Sequence, residues 1–206
     1  MTYSSSLLPL FGVALGWGLK ALSDYLFSRK QDVRTFRKAT FYLLSSYKSL
    51  YDYDRATTYF RLKKPSVADF EPWRKVAETH FLRESEANSA TLSRAVELLA
   101  SVDPTLATHV HNSLKRIARA FERDLGTVAE QDPKVYVGLV DTQDQLVATT
   151  LNDLQNATIS AARNSGIGMR RKVKIWFDER AEGETDFQQG MDEQKDLREK
   201  ASSISH

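Results

Sequence analysis

The sequence predicts an all-α protein with a single membrane-spanning helix near the N-terminus, followed by an up-down bundle of about four long helices. Three observations predict this fold. A long apolar stretch without charge opens the chain, and apolar residues then recur three and four apart over long segments. Asp-Pro pairs and glycines fall where these segments begin and end. Short connections between long helices favour antiparallel neighbours.

The N-terminal stretch is the strongest signal, because no charged residue precedes Lys20. As a helix, residues 7–19 would be about 20 Å long, whereas a bilayer core of about 30 Å needs roughly 20 residues. The predicted span therefore continues to Phe27, with the Lys20 ammonium reaching the headgroups. We predict a membrane anchor over residues 1–27. The alternatives are a buried core helix, an interfacial amphipathic helix and a signal peptide, which normally has a basic start that this chain lacks.

Basic residues follow the predicted span and are opposed only by Asp32. An excess of lysine and arginine marks the cytoplasmic flank of a spanning helix. We therefore predict a single-pass protein of the inner or plasma membrane, with its N-terminus outside and its C-terminal domain in the cytoplasm. The predicted membrane-flanking residues are Arg29, Lys30, Arg34, Arg37 and Lys38.

Small residues recur four apart within the predicted anchor. Such residues allow two helix backbones to approach closely in lipid. This spacing predicts a helix-packing face and a homo-oligomer. The residues concerned are Gly12, Ala14, Gly16 and Gly18.

Residues 28–182 are predicted to form the cytoplasmic helical-bundle domain. Its first helix continues from the anchor to Pro65, because apolar or neutral residues alternate three and four apart on one face. This face consists of Val33, Phe36, Thr40, Leu43, Tyr47 and Leu50. A second helix is predicted to start near Ser66 or Asp69, with Pro72 in its first turn. Its predicted inward residues are Phe70, Trp73, Ala77, Phe81, Leu98 and Leu99.

Two Asp-Pro pairs predict the remaining helix starts, because aspartate suits the N-cap and proline the first helical position. A third helix begins at Asp103-Pro104 and is closed by Gly126, and a fourth begins at Asp132-Pro133. Residues 135–140 also resemble a strand, but helix is favoured because no partner strand is nearby. The predicted inward residues are Leu106, Val110, Leu114, Ile117, Phe121, Leu125, Val140, Val147, Leu151, Leu154, Ala161 and Ala162.

The C-terminal part of the sequence combines a basic patch with an acidic tail. Residues 183–206 lose the apolar period and are rich in carboxylates, which predicts a mobile tail or a frayed helix. A basic and aromatic patch suits anionic lipid or nucleic acid. Nucleic acid is disfavoured because the patch is short and the acidic tail follows at once, and pairing within the bundle is the alternative. The patch consists of Arg170, Arg171, Lys172, Lys174 and Trp176.

No catalytic, cofactor-binding or metal-binding residues are predicted. The chain contains no cysteine, which excludes disulfides, zinc-thiolate sites and a cysteine nucleophile. His109 and His111 are two apart, so on a helix they point away from each other and do not share a metal. The stretch Ser165-Gly166-Ile167-Gly168 fits neither a serine nucleophile elbow nor a phosphate-binding fingerprint, and we interpret it as a glycine hinge.

These features together favour a non-catalytic, membrane-tethered interaction or assembly module, whose partners are lipid and either a second copy or another protein. The net charge of +2 does not indicate a nucleic-acid binder. The heptad-like spacing is also compatible with a coiled coil. The alternative is a membrane effector that oligomerises through its N-terminal helix and perturbs the bilayer, and an enzyme without a linear motif ranks third.

Overall fold

The computed structural model of the chain describes residues 7–64, 66–83, 86–122, 125–183 and 185. Every regular element within these residues is helical, so the predicted all-α class and the helical bundle are confirmed. The elements are α1 (Leu7–Lys63), α2 (Val67–Glu78) with a following π turn (Thr79–Arg83), α3 (Glu86–Ala100), α4 (Pro104–Ala120), α5 (Leu125–Gln131), α6 (Pro133–Asn164) and α7 (167–183).

Three predicted helix starts are confirmed by capping hydrogen bonds. The side chain of Ser66 accepts from the backbone N–H of Asp69 at 3.2 Å, at the start of α2. Asp103 and Asp132 cap α4 and α6 in the same way, each followed by proline at the first helical position. Such caps satisfy N–H groups that have no partner within the helix. Residues 135–140 lie within α6 and are helical.

The structure differs from the prediction in where the helices are interrupted and where they end. The predicted second helix is divided into α2, the π turn and α3, and Pro72 lies in the middle of α2 instead of its first turn. Gly126 does not close the third helix, because α4 already ends at Ala120 and Gly126 belongs to α5. The predicted stop at Pro65 and, except for residues 183 and 185, the tail over residues 183–206 lie outside the described residues.

The core is enclosed by four helices, in which α1 contacts α3 and α6, and α4 contacts the same two helices from the other side. The predicted face of α1 supplies much of this core, since Phe36, Thr40, Leu43 and Leu50 are all buried. Trp73 is an error of the prediction, because its ring is exposed and stacks on Phe60. A second, smaller apolar cluster around Phe70, Leu125, Tyr136 and Val140 joins α2 and α5 to the start of α6.

Two turns meet at the end of the bundle where α1 enters it. Helix α6 is antiparallel to α1, because Arg61 pairs with Asp141 and Asp144 while Thr40 lies 3.4 Å from the Ser165 hydroxyl. Helix α7 then returns parallel to α1. Helix α4 is antiparallel to α6, so the α3–α4 turn lies at the same end as Ser165. We call this the arm end of the bundle.

The predicted membrane-spanning helix over residues 1–27 is not supported. Within the described part of the chain, no helix is long and apolar enough to cross a membrane. The physical reason is the polar character that returns after residue 19. Lys20, Ser23 and Asp24 follow each other closely, so the charge-free part of α1 reaches only about 20 Å.

Candidate functional site

The first part of α1 extends beyond the bundle as a projecting helix, which we call the arm (residues 7–32). Each described side chain from Val13 to Asp32 is exposed, and burial starts only at Val33 and Phe36. Exposed large apolar residues on the arm include Trp17 at 78% and Phe27 at 72% of their accessible surface. Large exposed apolar side chains grouped on one helix are typical of surfaces that contact a membrane or another protein.

The arm carries a leucine seam in the same register as the face of α1 that packs in the core. The seam consists of Leu15, Leu19, Leu22 and Leu26, all exposed. Its spacing of four, three and four continues through Arg29, Val33 and Phe36 into the buried face. Seven-residue spacing of this kind is the pattern by which helices pair side by side. Within the described residues no helix covers this seam.

The predicted helix-packing residues lie next to this seam. Gly16 and Gly18 are in the exposed arm, and a Cβ atom added at either would meet nothing within 4 Å. Gly12 belongs to the helical backbone of α1. The side chain of Ala14 and the surroundings of Gly12 lie outside what the structure describes. Helical spacing places Gly12 and Gly16 on the same side as Leu15 and Leu19.

The predicted membrane-flanking residues surround the base of the arm. Arg29, Lys30, Arg34 and Lys38 are exposed, and within the described residues none of them forms an ion pair. The base of the arm is therefore a concentration of positive charge that is not neutralised by the bundle. Asp32 is the acidic residue among them.

Arg37 has a different role from the other predicted flanking residues. Its Nε donates a hydrogen bond of 3.2 Å to the backbone oxygen of Ser165, at the C-terminus of α6. A cation at this position also interacts favourably with the helix dipole. Gly166 follows with φ of +102°, a conformation that favours glycine, so the stretch interpreted from the sequence as a glycine hinge forms the turn between α6 and α7. Arg37 thus fixes the α6–α7 turn to the base of the arm.

The predicted basic patch lies on α7 beside the same end of the bundle, but its residues face different ways. Arg170 and Lys174 face α6, where they line a groove, and Arg171 and Lys172 are exposed without lining it. Trp176 belongs to the packing of the bundle. Its ring contacts Tyr47 at a centroid distance of 5.7 Å, and the Arg180 guanidinium lies 4.2 Å from its centroid. The cations of the patch and Trp176 therefore do not form one surface.

A buried ion network occupies the opposite end of the bundle. The Arg74 guanidinium, 3% exposed, donates to both carboxylate oxygens of Glu71 at 2.6 and 2.8 Å, and to Glu78 at 3.1 Å. It also donates to the side-chain oxygen of Gln143 at 3.3 Å, and Gln143 in turn donates to the Ala120 carbonyl at the end of α4. The network was not predicted from the sequence. The sequence signal that could have predicted it is the spacing of Glu71, Arg74 and Glu78, which are at i, i+3 and i+7 on one helix face.

Tyr136 completes this network by donating its hydroxyl to Glu71. Burial raises the pKa of Tyr136 above its ordinary value, and the neighbouring Glu71 raises it further. The hydroxyl consequently remains protonated and able to donate at neutral pH. The network holds α2, α6 and the end of α4 together, and its polar groups are occupied by each other.

No metal site is evident in the part of the chain that the structure describes, where no three His, Asp or Glu side chains are grouped suitably. His109 and His111 are both exposed on α4. The chain matches no protein-family model, and neither a curated protein nor a solved structure resembles it significantly. The geometry itself therefore defines the class: an all-α bundle with a projecting apolar arm and a basic end.

Proposed function

We propose that this protein is a membrane-anchored assembly module, in which the arm inserts into the bilayer and the basic arm end of the bundle rests on anionic headgroups. The single observation that supports this proposal most directly is that all described side chains from Val13 to Asp32 are exposed. Apolar helix surface of this extent is stable only when it is covered. Unpaired cations at its base complement an anionic lipid surface.

The charge-free part of the arm is long enough to enter the bilayer core but shorter than its thickness of about 30 Å. Residues 7–19 cover about 20 Å of the bilayer core, and Lys20 and Asp24 then lie in the headgroup layer. The basic flank places the bundle on the cytoplasmic side. Protease protection of an N-terminal tag on the full-length chain tests whether the N-terminus reaches the opposite side, as the sequence predicts.

The first test concerns the basic residues at the base of the arm. Replacing Arg34 and Lys38 with glutamine should weaken binding of the full-length chain to anionic vesicles about 30-fold, because each cation near the surface contributes about 1 kcal/mol. Co-flotation at graded lipid concentrations measures the change. The matched control replaces Lys115 and Arg119, exposed cations on α4, with glutamine. Equal losses in both variants would contradict the proposed orientation.

Assembly is the second part of the proposal, and the seam predicts which residues meet. In a parallel pair of arms, Leu22 of one copy should face Leu22 of the other, whereas Asp24 should point away. The chain has no cysteine, so a disulfide formed by a single introduced cysteine can only join the same position in two copies. We expect Leu22→Cys to form a disulfide-linked dimer in neutral vesicles under mild oxidation, and Asp24→Cys to remain monomeric. Equal cross-linking of both variants would refute the pairing along the seam.

The membrane effector is the second candidate function, because Lys20 and Asp24 lie on the arm that would enter the lipid. Polar residues inside a membrane can line a wet path between assembled helices. Release of a dye from vesicles that contain the full-length chain distinguishes the two functions. An anchored assembly module leaves the vesicles sealed, whereas an effector empties them.

A further inference from the structure

A groove with a volume of about 350 Å³ runs between α6 and α7. Its walls are formed by one face of each helix, with lining residues at i, i+4, i+7 and i+8 on α6 and a similar spacing on α7. Its floor is apolar, because Ala162, Val173 and Phe177 are buried there and Ile159 is partly exposed along it. This volume is in the range of small-molecule sites in proteins.

Three exposed cations line the half of the groove that is nearest the α6–α7 turn. They are Arg163 from α6 and Arg170 and Lys174 from α7, and within the described residues none of them has a carboxylate partner in ion-pair distance. The acidic lining residue, Asp178, is one helical turn further along α7 than Lys174. Like charges held together repel one another, and an anion between them removes that repulsion.

Two other arginines of the bundle, Arg61 and Arg116, show a different arrangement. Arg61 pairs with two aspartates and Arg116 with Asp153, so these guanidinium groups are neutralised within the fold. Arg163 and Arg170 have no such partner, although guanidinium is the side chain best suited to chelate phosphate with two hydrogen bonds. A free inorganic anion has no apolar group that could contact the apolar floor beside them.

We propose that this groove binds the phosphate of one anionic phospholipid, with the cations on the phosphate and the apolar floor against the beginning of its acyl chains. The choice of a membrane lipid as the source rests on the proposed membrane function. A membrane lipid is also favoured by the position of the groove, because Arg37 fixes the turn beside Arg163 to the base of the arm. A lipid held in the groove would fix the rotation of the bundle about the arm relative to the bilayer.

Native mass spectrometry of the full-length chain in a nonionic detergent tests this proposal by counting bound phosphatidate. The variant Arg170→Gln with Lys174→Gln should lose at least about tenfold in affinity for the first lipid, because charge-assisted hydrogen bonds are removed. The control, Arg171→Gln with Lys172→Gln, changes the same charge on the same helix outside the groove and should lose less than about twofold. Equal losses would overturn the site in favour of a diffuse charge effect.

Two further measurements separate the lipid from other ligands and this site from the anchor. Ile159→Trp, which fills the groove and keeps every cation, should also abolish tight binding. Inorganic phosphate or diacylglycerol that binds as tightly as phosphatidate would overturn the assignment to a phospholipid. If the chain binds phosphatidate but does not co-float with vesicles, the membrane anchor is refuted and the lipid site is kept. If the chain co-floats but the groove variants bind lipid as the wild type does, the lipid site is refuted and the anchor is kept.

Discussion

Replacing Arg74 with methionine should destabilise the bundle by about 3–5 kcal/mol, the cost of leaving buried charges without their partner. The guanidinium is 3% exposed and satisfies Glu71, Glu78 and Gln143 simultaneously. Methionine fills most of the volume but leaves the carboxylates desolvated, and it removes the donor to Gln143. For a chain of this size we expect a fall in melting temperature on the order of 10 °C.

Thermal unfolding of the full-length chain, followed by circular dichroism in a mild detergent, measures this loss. Arg116→Met is the matched control, because Arg116 pairs with Asp153 at the surface and should contribute no more than about 1 kcal/mol. Apolar replacement of Arg74, Glu71 and Glu78 together should recover part of the stability, since no charge is then orphaned. A melting temperature of Arg74→Met equal to that of Arg116→Met would show that the network is not a stabilising element.

The helical layout was predictable because its signals are local. An aspartate followed by proline marks a helix start whatever the rest of the chain does, and Asp103 and Asp132 both cap helices. The period of Phe36, Thr40 and Leu43 likewise predicts the buried face from the sequence alone. These signals depend on neighbours within one or two turns.

Features that depend on contacts between distant residues were not predictable in this way. Trp73 has an apolar ring, yet it lies outside the core because Phe60 offers it a stacking partner at the surface. The hydrogen bond of the Arg37 Nε is of the same kind, because its acceptor, the backbone oxygen of Ser165 in the α6–α7 turn, lies 128 residues further along the chain. The groove depends on the same turn, because only the packing of α7 beside α6 brings Arg163 next to Arg170.

The predicted anchor was predictable only in part. The apolar stretch was read from the sequence, and the structure describes its position as a projection from the bundle. Crossing of a membrane depends on length and polarity, and Lys20 and Asp24 limit both. Leu15 and Leu22 are exposed on the arm, and the core begins only at Phe36. Both leucines can therefore be replaced to test the contact with lipid without disturbing the core.

The variant Leu15→Asp with Leu22→Asp should strongly weaken membrane association while leaving the bundle folded. An aspartate at the centre of a membrane helix costs about 2.5–3.5 kcal/mol, which applies to Leu15. Leu22 lies between Lys20 and Asp24 near the headgroup layer, so its replacement adds a smaller cost. Together these costs correspond to a loss of vesicle affinity of more than about 60-fold. Helical content and melting temperature should change little, because neither leucine belongs to the core of the bundle.

The control for this variant is Gln145→Asp with Asn152→Asp, which adds the same charge at exposed positions of α6. It should reduce co-flotation only slightly, because these positions lie on the bundle and screened surface charges contribute little. If the arm variant still floats with vesicles as the wild type does, the contact with lipid is made elsewhere, and the basic arm end becomes the first surface to test. If both variants detach equally, charge alone governs binding and the arm is covered by protein, with the seam over Leu15 to Leu26 as the surface that a second copy would occupy.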